Sequence, residues 1–483
     1  MPAITVQPHN KILTAFPGDT LHSLLSRHGM LREAPCGGQG TCGKCIVIVD
    51  GEKVLASRTA ADRDMTVFLP SGVSDQVLTD AAVSCDISGT KGAGYRLAVD
   101  LGTTTLAASL MNGETGKERC SLGMLNPQSG YGADVVSRLR HARNGCADML
   151  KDAVRSGVDA LVQELCIMAD ISPQEIEAVS VVGNPAMQQL FFDIPTDNLT
   201  CIPFAAVLTA AEWKAAAEYI PSCTNARLQI VPDISAYVGA DTVACMLATD
   251  MDRSDALTLL VDIGTNGEIV LGNRNRLLSC STAAGPALEG ANIRFGMRAR
   301  SGAISRVMAS EDGFTCSVIG GGEAEGICGS GLIDAVAAAL DMGLLNERGK
   351  IRCSEGKIDL TGRVYLTQED IREVQMAKGA VAAGIELLAD QMGVRLDEIE
   401  RVYLAGAFGS FLNSASACRI GLLPPVLEHK ITAVGNAALA GAKLMACDSA
   451  QLARSQAVSE RTESISLAEL PEFARCYARN MRF

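Results

Sequence analysis

Polar and apolar positions alternate along residues 4–16, through ITVQ and KILTAF on either side of a His-Asn turn, and predict a β-hairpin. Asp19 or Thr20 then caps a short helix over LHSLLSRHG, which Gly29 ends. A Gly- and Cys-rich loop, a strand CIVIVDG and a last strand at 64–69 (DMTVFL) complete a small β-rich unit. Residues 84–94 (SCDISGTKGAG) have no periodicity and read as a linker. From Tyr95 onward the pattern changes. Apolar strands such as RLAVDLG alternate with amphipathic helices such as KDAVRSGVDALVQELCIMA, the signature of α/β layers. The final stretch, SISLAELPEFARCYARNMRF, reads as a strand and a short helix.

An internal repeat divides the α/β region. AVDLGTTTLAASL (98–110) and LVDIGTNGEIVLG (260–272) share Val-Asp-x-Gly-Thr between apolar strands. The copies lie 162 residues apart, too far for a solenoid, so the region reads as two similar halves. The expected organisation is a β-rich unit at 1–83, a linker at 84–94, a first lobe at 95–255 and a second at 256–483.

Composition sharpens this. Hydrophobic residues make up 48% and aromatics only 4%, with Trp213 the single tryptophan. The core must be Ala, Val, Leu and Ile, which suits sheets buried on both faces. The formal net charge is −13, and residues 1–85 carry 7 basic against 8 acidic side chains, so the acid surplus lies later. The absence of a polybasic run argues against a nucleic-acid partner. Without a signal-like N-terminus or a long apolar run, a cytoplasmic protein with no membrane span is expected. Most of the 17 cysteines stand singly (Cys120, Cys146, Cys166, Cys201, Cys245, Cys280), as buried small hydrophobes do in a reducing compartment.

One dense cluster is different. Cys36-GGQGT-Cys42-GK-Cys45 sets three thiols within ten residues, spaced by glycines that let backbone N–H groups approach sulfur. That pattern suits an iron–sulfur cluster; a zinc knuckle or structural thiols are the alternatives. A [2Fe–2S] centre needs a fourth ligand, and Ser57 in VLASRT stands where the cysteine should be. Ser57 can ligate through oxygen and lower the potential, the cluster can be labile or absent, or Cys85 can swing in.

The repeated Asp-x-Gly-Thr loops carry the second chemistry. A strand that ends there and turns straight into another leaves N–H groups and Thr hydroxyls free to cradle phosphate. Asp100 and Asp262 can then hold Mg²⁺ or orient a water. Gly329-Ser330-Gly331 precedes an apolar helix whose N-terminus can hold an anion. Gly406-Ala407-Phe408-Gly409 follows a strand as a flat turn on which adenine can lie. Asn184 in VVGNPAM reads first as a helix cap, with Pro185 at the first helical position. No P-loop, Rossmann fingerprint or H-E-x-x-H is present.

The paired loops and the GAFG turn resemble the superfamily of acetate and sugar kinases, heat-shock chaperones and actin. The order cysteine loop, AVDLGTTT, VVGN, LVDIGTNGE, GICGSG, LAGAFG is similar to the reductive activators of corrinoid-dependent enzymes and spans almost the whole chain. The resemblance implies a two-lobed actin-like α/β ATPase behind a ferredoxin-like [2Fe–2S] domain. It implies an enzyme that uses ATP to pass one electron from the cluster to Co(II), regenerating Co(I) for methyl transfer. Cys36, Cys42 and Cys45, with Ser57 at the fourth place, would match cluster ligands. Asp100, Gly102, Thr103, Thr104 and Thr105 would match the first phosphate loop; Asp262, Gly264, Thr265, Asn266 and Glu268 the second. Gly406, Ala407 and Gly409 would match the adenosine turn. Asp100, Asp262 and Glu268 are the expected catalytic carboxylates. A corrinoid protein of a methyltransferase system and an electron donor are the implied partners. Larger relatives carry an additional domain, which can support dimerisation, between ferredoxin and ATPase; here a short linker stands, and a homodimer is one expectation. A small-molecule kinase of the same superfamily, or a non-redox ATP-binding protein without its cluster, are the alternative readings.

Overall fold

The computed structural model describes residues 2–7, 11–28, 30, 45–49, 52–69, 94–264, 266–311 and 313–483. The first 69 residues build a mixed five-stranded sheet. Its strands are β1 (Ala3–Gln7), β2 (Lys11–Thr14), β3 (Ile46–Val49), β4 (Glu52–Leu55) and β5 (Met65–Phe68), in the order β2-β1-β5-β3-β4. The predicted hairpin is β1 against β2, and β1 pairs parallel with β5. Helix α1 (Leu21–Arg27) buries Leu21, Leu24 and Leu25 against the sheet. Thr20, not Asp19, is its N-cap; its side chain accepts from Ser23 N at 3.1 Å. The residues read as a linker, 84–94, lie outside the described residues except Gly94.

The α/β region is a structural duplication. In its first half, β6 (Tyr95–Leu101), β7 (Thr105–Asn112) and β8 (Glu118–Leu125) form an antiparallel meander. Next come α2 (Val135–His141), α3 (Ala147–Ala169), β9 (Ile176–Gly183), α4 (Pro185–Phe192), α5 (Asp197–Thr200), β10 (Glu212–Ala215), β11 (Arg227–Ile230) and α6 (Ala240–Ala248). The sheet order is β10-β11-β9-β6-β7-β8, with β9 parallel to β6 and β11 parallel to β9.

The second half repeats the plan. β12 (Thr258–Ile263), β13 (Gly267–Gly272) and β14 (Leu277–Thr282) form a second meander. An insertion follows, with β15 (Ala303–Ser310), β16 (Gly313–Val318) and β17 (Gly326–Ile327) in a three-stranded sheet, then α7 (Gly329–Asp341) and the small hairpin β18 (Ile358–Asp359) and β19 (Tyr365–Leu366). The chain continues through α8 (Gln368–Met392), β20 (Arg401–Ala405), α9 (Gly406–Phe411), α10 (Ser414–Arg419), β21 (Ile431–Gly435), α11 (Ala437–Cys447), α12 (Ser449–Arg461), β22 (Thr462–Ser464) and α13 (Phe473–Asn480). The main sheet runs β21-β20-β12-β13-β14-β22, with β20 parallel to β12 and β21 parallel to β20. Strand for strand, β6, β7, β8, β9 and β11 correspond to β12, β13, β14, β20 and β21.

The strands are near-continuous apolar runs because helices cover both faces. Each half has its own core, around Val99, Leu106 and Val181 in the first and Val261, Ile269 and Leu404 in the second. A third cluster joins the halves, where Ala98, Val182 and Val243 meet Leu260, Val434 and Leu439. Helices α6 and α11 cross there so closely that a Cβ on Gly441 would lie 2.1 Å from Ala244 O. No described helix is long and apolar enough to cross a membrane. Cys166, Cys245 and Cys280 are buried as expected, but Cys120 and Cys146 are only half-buried and Cys201 is exposed. Single cysteines thus do not share one environment: Cys201 sits at the end of α5, outside the sheet cores.

Candidate functional site

The two Asp-x-Gly-Thr segments form the tight hairpins that their sequence predicts. Asp100 pairs with Ala107 and Leu101 with Leu106 across the first turn; Asp262 pairs with Glu268 and Ile263 with Gly267 across the second. Glycine is required at position 102, because a Cβ there would meet Thr105 O at 2.5 Å. Both turns open on one cleft of about 300 Å³ between the halves, at the small end of the range for small-molecule sites.

Most of the expected site residues line this cleft. Asp100, Gly102, Thr103, Thr104 and Thr105 come from the first hairpin; Asp262, Gly264, Asn266 and Glu268 from the second; Gly329, Ser330 and Gly406 from the helices beyond. Thr265 lies outside the described residues. Gly331 and Gly409 serve packing: a Cβ on Gly331 would stand 2.3 Å from Ile304 O, and one on Gly409 3.1 Å from Leu404 Cβ. Gly329-Ser330-Gly331 does not precede its helix but forms its first turn, behind Cys328. The GAFG segment is not a flat turn either. It begins α9, with Gly406 at φ +81° and so near the second hairpin that a Cβ would lie 2.5 Å from Asp262 Oδ1. Ala407 contributes its backbone to α9. Gly329 is pinned in the same way, since its Cβ would reach within 1.8 Å of Leu288 O and 2.7 Å of the Phe408 ring.

The cleft floor is acidic and bridged. Asn436, the N-cap of α11, donates from Nδ2 to Asp100 Oδ2 at 3.0 Å. Thr104 Oγ1 donates to Glu289 Oε2 at 2.7 Å, so the first hairpin is tied to the second half. Asn184 caps α4 by accepting from Met187 N, and its Nδ2 also donates to Thr103 Oγ1 at 2.9 Å. The cap reading was correct but covered only half of that side chain's work. Burial pushes the Asp100 carboxyl up to about 7; the Asn436 bond opposes this and the Asp262 charge adds to it. Burial, with Asp241 and Glu289 nearby, pushes Asp262 up to about 7 as well. Asp241 rises to about 7 by burial beside Asp100, and burial beside Asp241 and Asp262 raises Glu268 well above the usual carboxylate range. Carboxyls crowded in this way lower one another's acidity and favour a cation. Among the described residues, no group of three His, Cys, Asp or Glu side chains is arranged to hold a metal ion by itself.

Several lining residues carry no sequence signal. Asp241, in the first turn of the helix that follows β11, and Asn436, the N-cap of the helix that follows β21, both reach the cleft but stand one place apart after a shared Val-Gly, so comparing the two repeats does not pair them. Glu289, Arg298, Phe408 and Phe411 also line the cleft. The VGN triplet shared by 182–184 and 434–436 was the one available hint of Asn436.

At the N-terminal unit, Cys36 and Cys42 lie outside the described residues. Cys45 is buried at the start of β3, and its Sγ is 3.0 Å from Ser57 Oγ. Ser57 N also donates to Cys45 Sγ at 3.4 Å. Cys85 lies outside the described residues.

Comparison with known proteins agrees with this duplicated fold. Residues 95–254 match the family model described as the RACo middle region, and residues 256–483 match the one described as the C-terminal domain of RACo, the ASKHA domain. A "Corrinoid activation enzyme RamQ" of Eubacterium limosum is 32% identical over 418 residues, covering 80% of this chain and 70% of that protein. The chain belongs to the RACo family. A second relative of this RACo-family chain, the "[Co(II) methylated amine-specific corrinoid protein] reductase" of Methanosarcina barkeri, is 28% identical, covering 74% of this chain and 71% of its own length. The solved structure of a "Reductive activator for corrinoid,iron-sulfur protein" covers 100% of this chain and 98% of its own, with 26% identity and a TM-score of 0.73. The two-lobed ATPase-like architecture is therefore that of the ASKHA fold.

Proposed function

We propose that this chain uses ATP to activate a corrinoid protein reductively, returning Co(II) to Co(I) for methyl transfer. The observation that carries this reading is the convergence of two Asp-x-Gly-Thr hairpins and the Gly406 turn on one cleft. In that cleft the hairpin N–H groups and the Thr103, Thr104 and Thr105 hydroxyls hold phosphate oxygens, and the sequence match assigns Thr265 the same role. Asp100, Asp262 and Glu268 are the carboxylates that would hold Mg²⁺, directly or through water, and the ion would screen phosphate charge; one of them would orient the water that splits ATP to ADP and phosphate. Adenine lies by Gly406, against Phe408.

The N-terminal unit, residues 1–83, is in this reading a ferredoxin-like domain, joined by the 84–94 linker to lobes at 95–255 and 256–483. Cys36, Cys42, Cys45 and Ser57 would hold a [2Fe–2S] cluster. The facing of Cys45 Sγ and Ser57 Oγ at 3.0 Å fits a shared ligand set. The cluster would supply one electron at a time at low potential. The protein works in the cytoplasm with an electron donor and a corrinoid protein as partners, and without nucleic acid.

ATP binding offsets an uphill electron transfer only if the closed and open lobes differ in affinity for the partner. Anaerobic protein with excess reductant and a corrinoid protein, followed by absorbance, should yield Co(I) with MgATP and almost none without it. Equal yields in both arms would sink the proposal.

A further inference from the structure

One cation in the cleft has a buried N–H that finds no acceptor among the described residues. Arg298 lines the cavity with Thr103, Thr104 and Glu289, and its Nη1 is buried without a hydrogen-bond acceptor. A buried guanidinium N–H is seldom left unpaired, so this one is an orphan that a ligand would satisfy. The loop that carries it is clamped. Gly290, at φ +81°, lies so close that a Cβ would meet Met297 O at 2.7 Å, and Met297 N donates to Ile327 O at 2.9 Å. Arg298 thus lines the same cleft as the Thr104–Glu289 bridge.

A second arginine lies behind the first hairpin. Arg138 of α2 is fully buried, and it donates to Thr103 O at 2.5 Å, Gly132 O at 3.0 Å and Gln128 Oε1 at 3.1 Å. These acceptors are neutral, as is a fourth, Met187 Sδ at 3.2 Å. The Arg298 charge reaches Arg138 and disfavours its charged form. Two like charges this near favour an anion bound in the cleft that Arg298 lines. The carboxylates nearby suit a divalent cation; the arginines suit a phosphate, which guanidinium binds through a planar fork.

We propose that Arg298 reads the terminal phosphate of a nucleoside triphosphate held by the two hairpins. This rests on the nucleotide reading above and adds to it how the site tells triphosphate from diphosphate. The terminal phosphoryl oxygens accept from Arg298 and offset its positive charge. A diphosphate leaves Arg298 without that acceptor.

Calorimetry on wild type, Arg298→Ala and Arg298→Lys with Mg²⁺ tests this, using ADP and a non-hydrolysable ATP analogue as probes. Arg298→Ala should weaken the analogue roughly tenfold or more and ADP less than about twofold, and Arg298→Lys should recover part of the loss. Equal weakening of both nucleotides, or unchanged analogue affinity, would overturn the assignment. Wild type that binds neither nucleotide would remove the nucleotide reading itself, and the proposal with it. Melting curves without nucleotide check that both variants fold; should Arg298→Ala fail, Arg298→Lys alone must still weaken the analogue more than ADP.

Discussion

Asp100 and Asp262 are twins in sequence but not in surroundings. Asn436 supports Asp100 with a hydrogen bond, whereas Asp262 faces the backbone of Gly406. Both titrate near 7 because burial disfavours their charge, and Asp241 does the same. For a carboxyl whose folded pKa lies above its unfolded value near 4, the stabilising contribution is complete below that unfolded value and is lost as pH rises through the folded one. Without divalent cation, thermal stability should therefore fall between about pH 4 and pH 7 as these groups are forced to ionise. Mg²⁺ with nucleotide should raise the melting temperature more at pH 8 than at pH 6; a pH-independent increment in differential scanning fluorimetry would contradict the shifts. Gly406→Val should abolish detectable nucleotide binding, since its φ is closed to branched residues and its Cβ would collide with Asp262. At the proposed iron–sulfur site, Ser57→Cys should raise the reduction potential of the reconstituted protein in a spectroelectrochemical titration, because thiolate is a softer donor than alkoxide. An unchanged potential would place Ser57 outside the ligand set.

At the scale of elements, the two helices α6 and α11 hold the halves together. They are small-residue helices, and Gly441 allows the backbone of α11 to lie on Ala244. Overpacking such a contact costs about 1–3 kcal/mol. Gly441→Leu should lower unfolding stability by that order in denaturant titration, and should weaken nucleotide binding because Asn436 begins the same helix. Stability and binding unchanged would show that the crossing is not tight. The duplication explains why both helices start at the cleft: each follows the parallel strand lying two places from its half's first meander strand, so their N-terminal ends point at the same crevice. The side chains at those starts, Asp241 and Asn436, differ, and the paired hairpins therefore meet an asymmetric floor.

At the scale of the molecule, the N-terminal unit rests on the first lobe. Helix α1 packs against the Pro127–Tyr131 turn, where a Cβ on Gly130 would stand 3.1 Å from Ser26 Oγ. That turn begins at Asn126, whose Nδ2 donates to Gly102 O at 2.8 Å and whose N donates to Thr104 O at 3.0 Å. A contiguous set of hydrogen bonds and close contacts thus links the first Asp-x-Gly-Thr hairpin to the unit that carries Cys45. Hydrogen exchange in the presence of Mg²⁺ and an ATP analogue should slow at Leu21–Arg27 as well as at Leu101–Thr105. Asn126→Ala should keep the second protection and lose most of the first. Protection confined to the hairpin in wild type would leave the two units energetically separate.

Much of this protein could be read from the order of its residues. Period-2 and 3.6-period patterns marked the strands and helices, and two copies of Val-Asp-x-Gly-Thr revealed both the duplication and the residues that turn into the cleft, because hairpin geometry is local and depends on glycine. The tertiary structure alone decided which distant side chains complete the site. Asn436 reaches Asp100 and Thr104 reaches Glu289, each across a gap of more than a hundred residues, and Arg298 joins them at the cleft. It also turned GAFG from a flat turn into the start of a helix and placed Gly331 and Gly409 in packing roles. Such contacts follow from how two sheets and their covering helices meet, and no local pattern in the chain encodes that meeting.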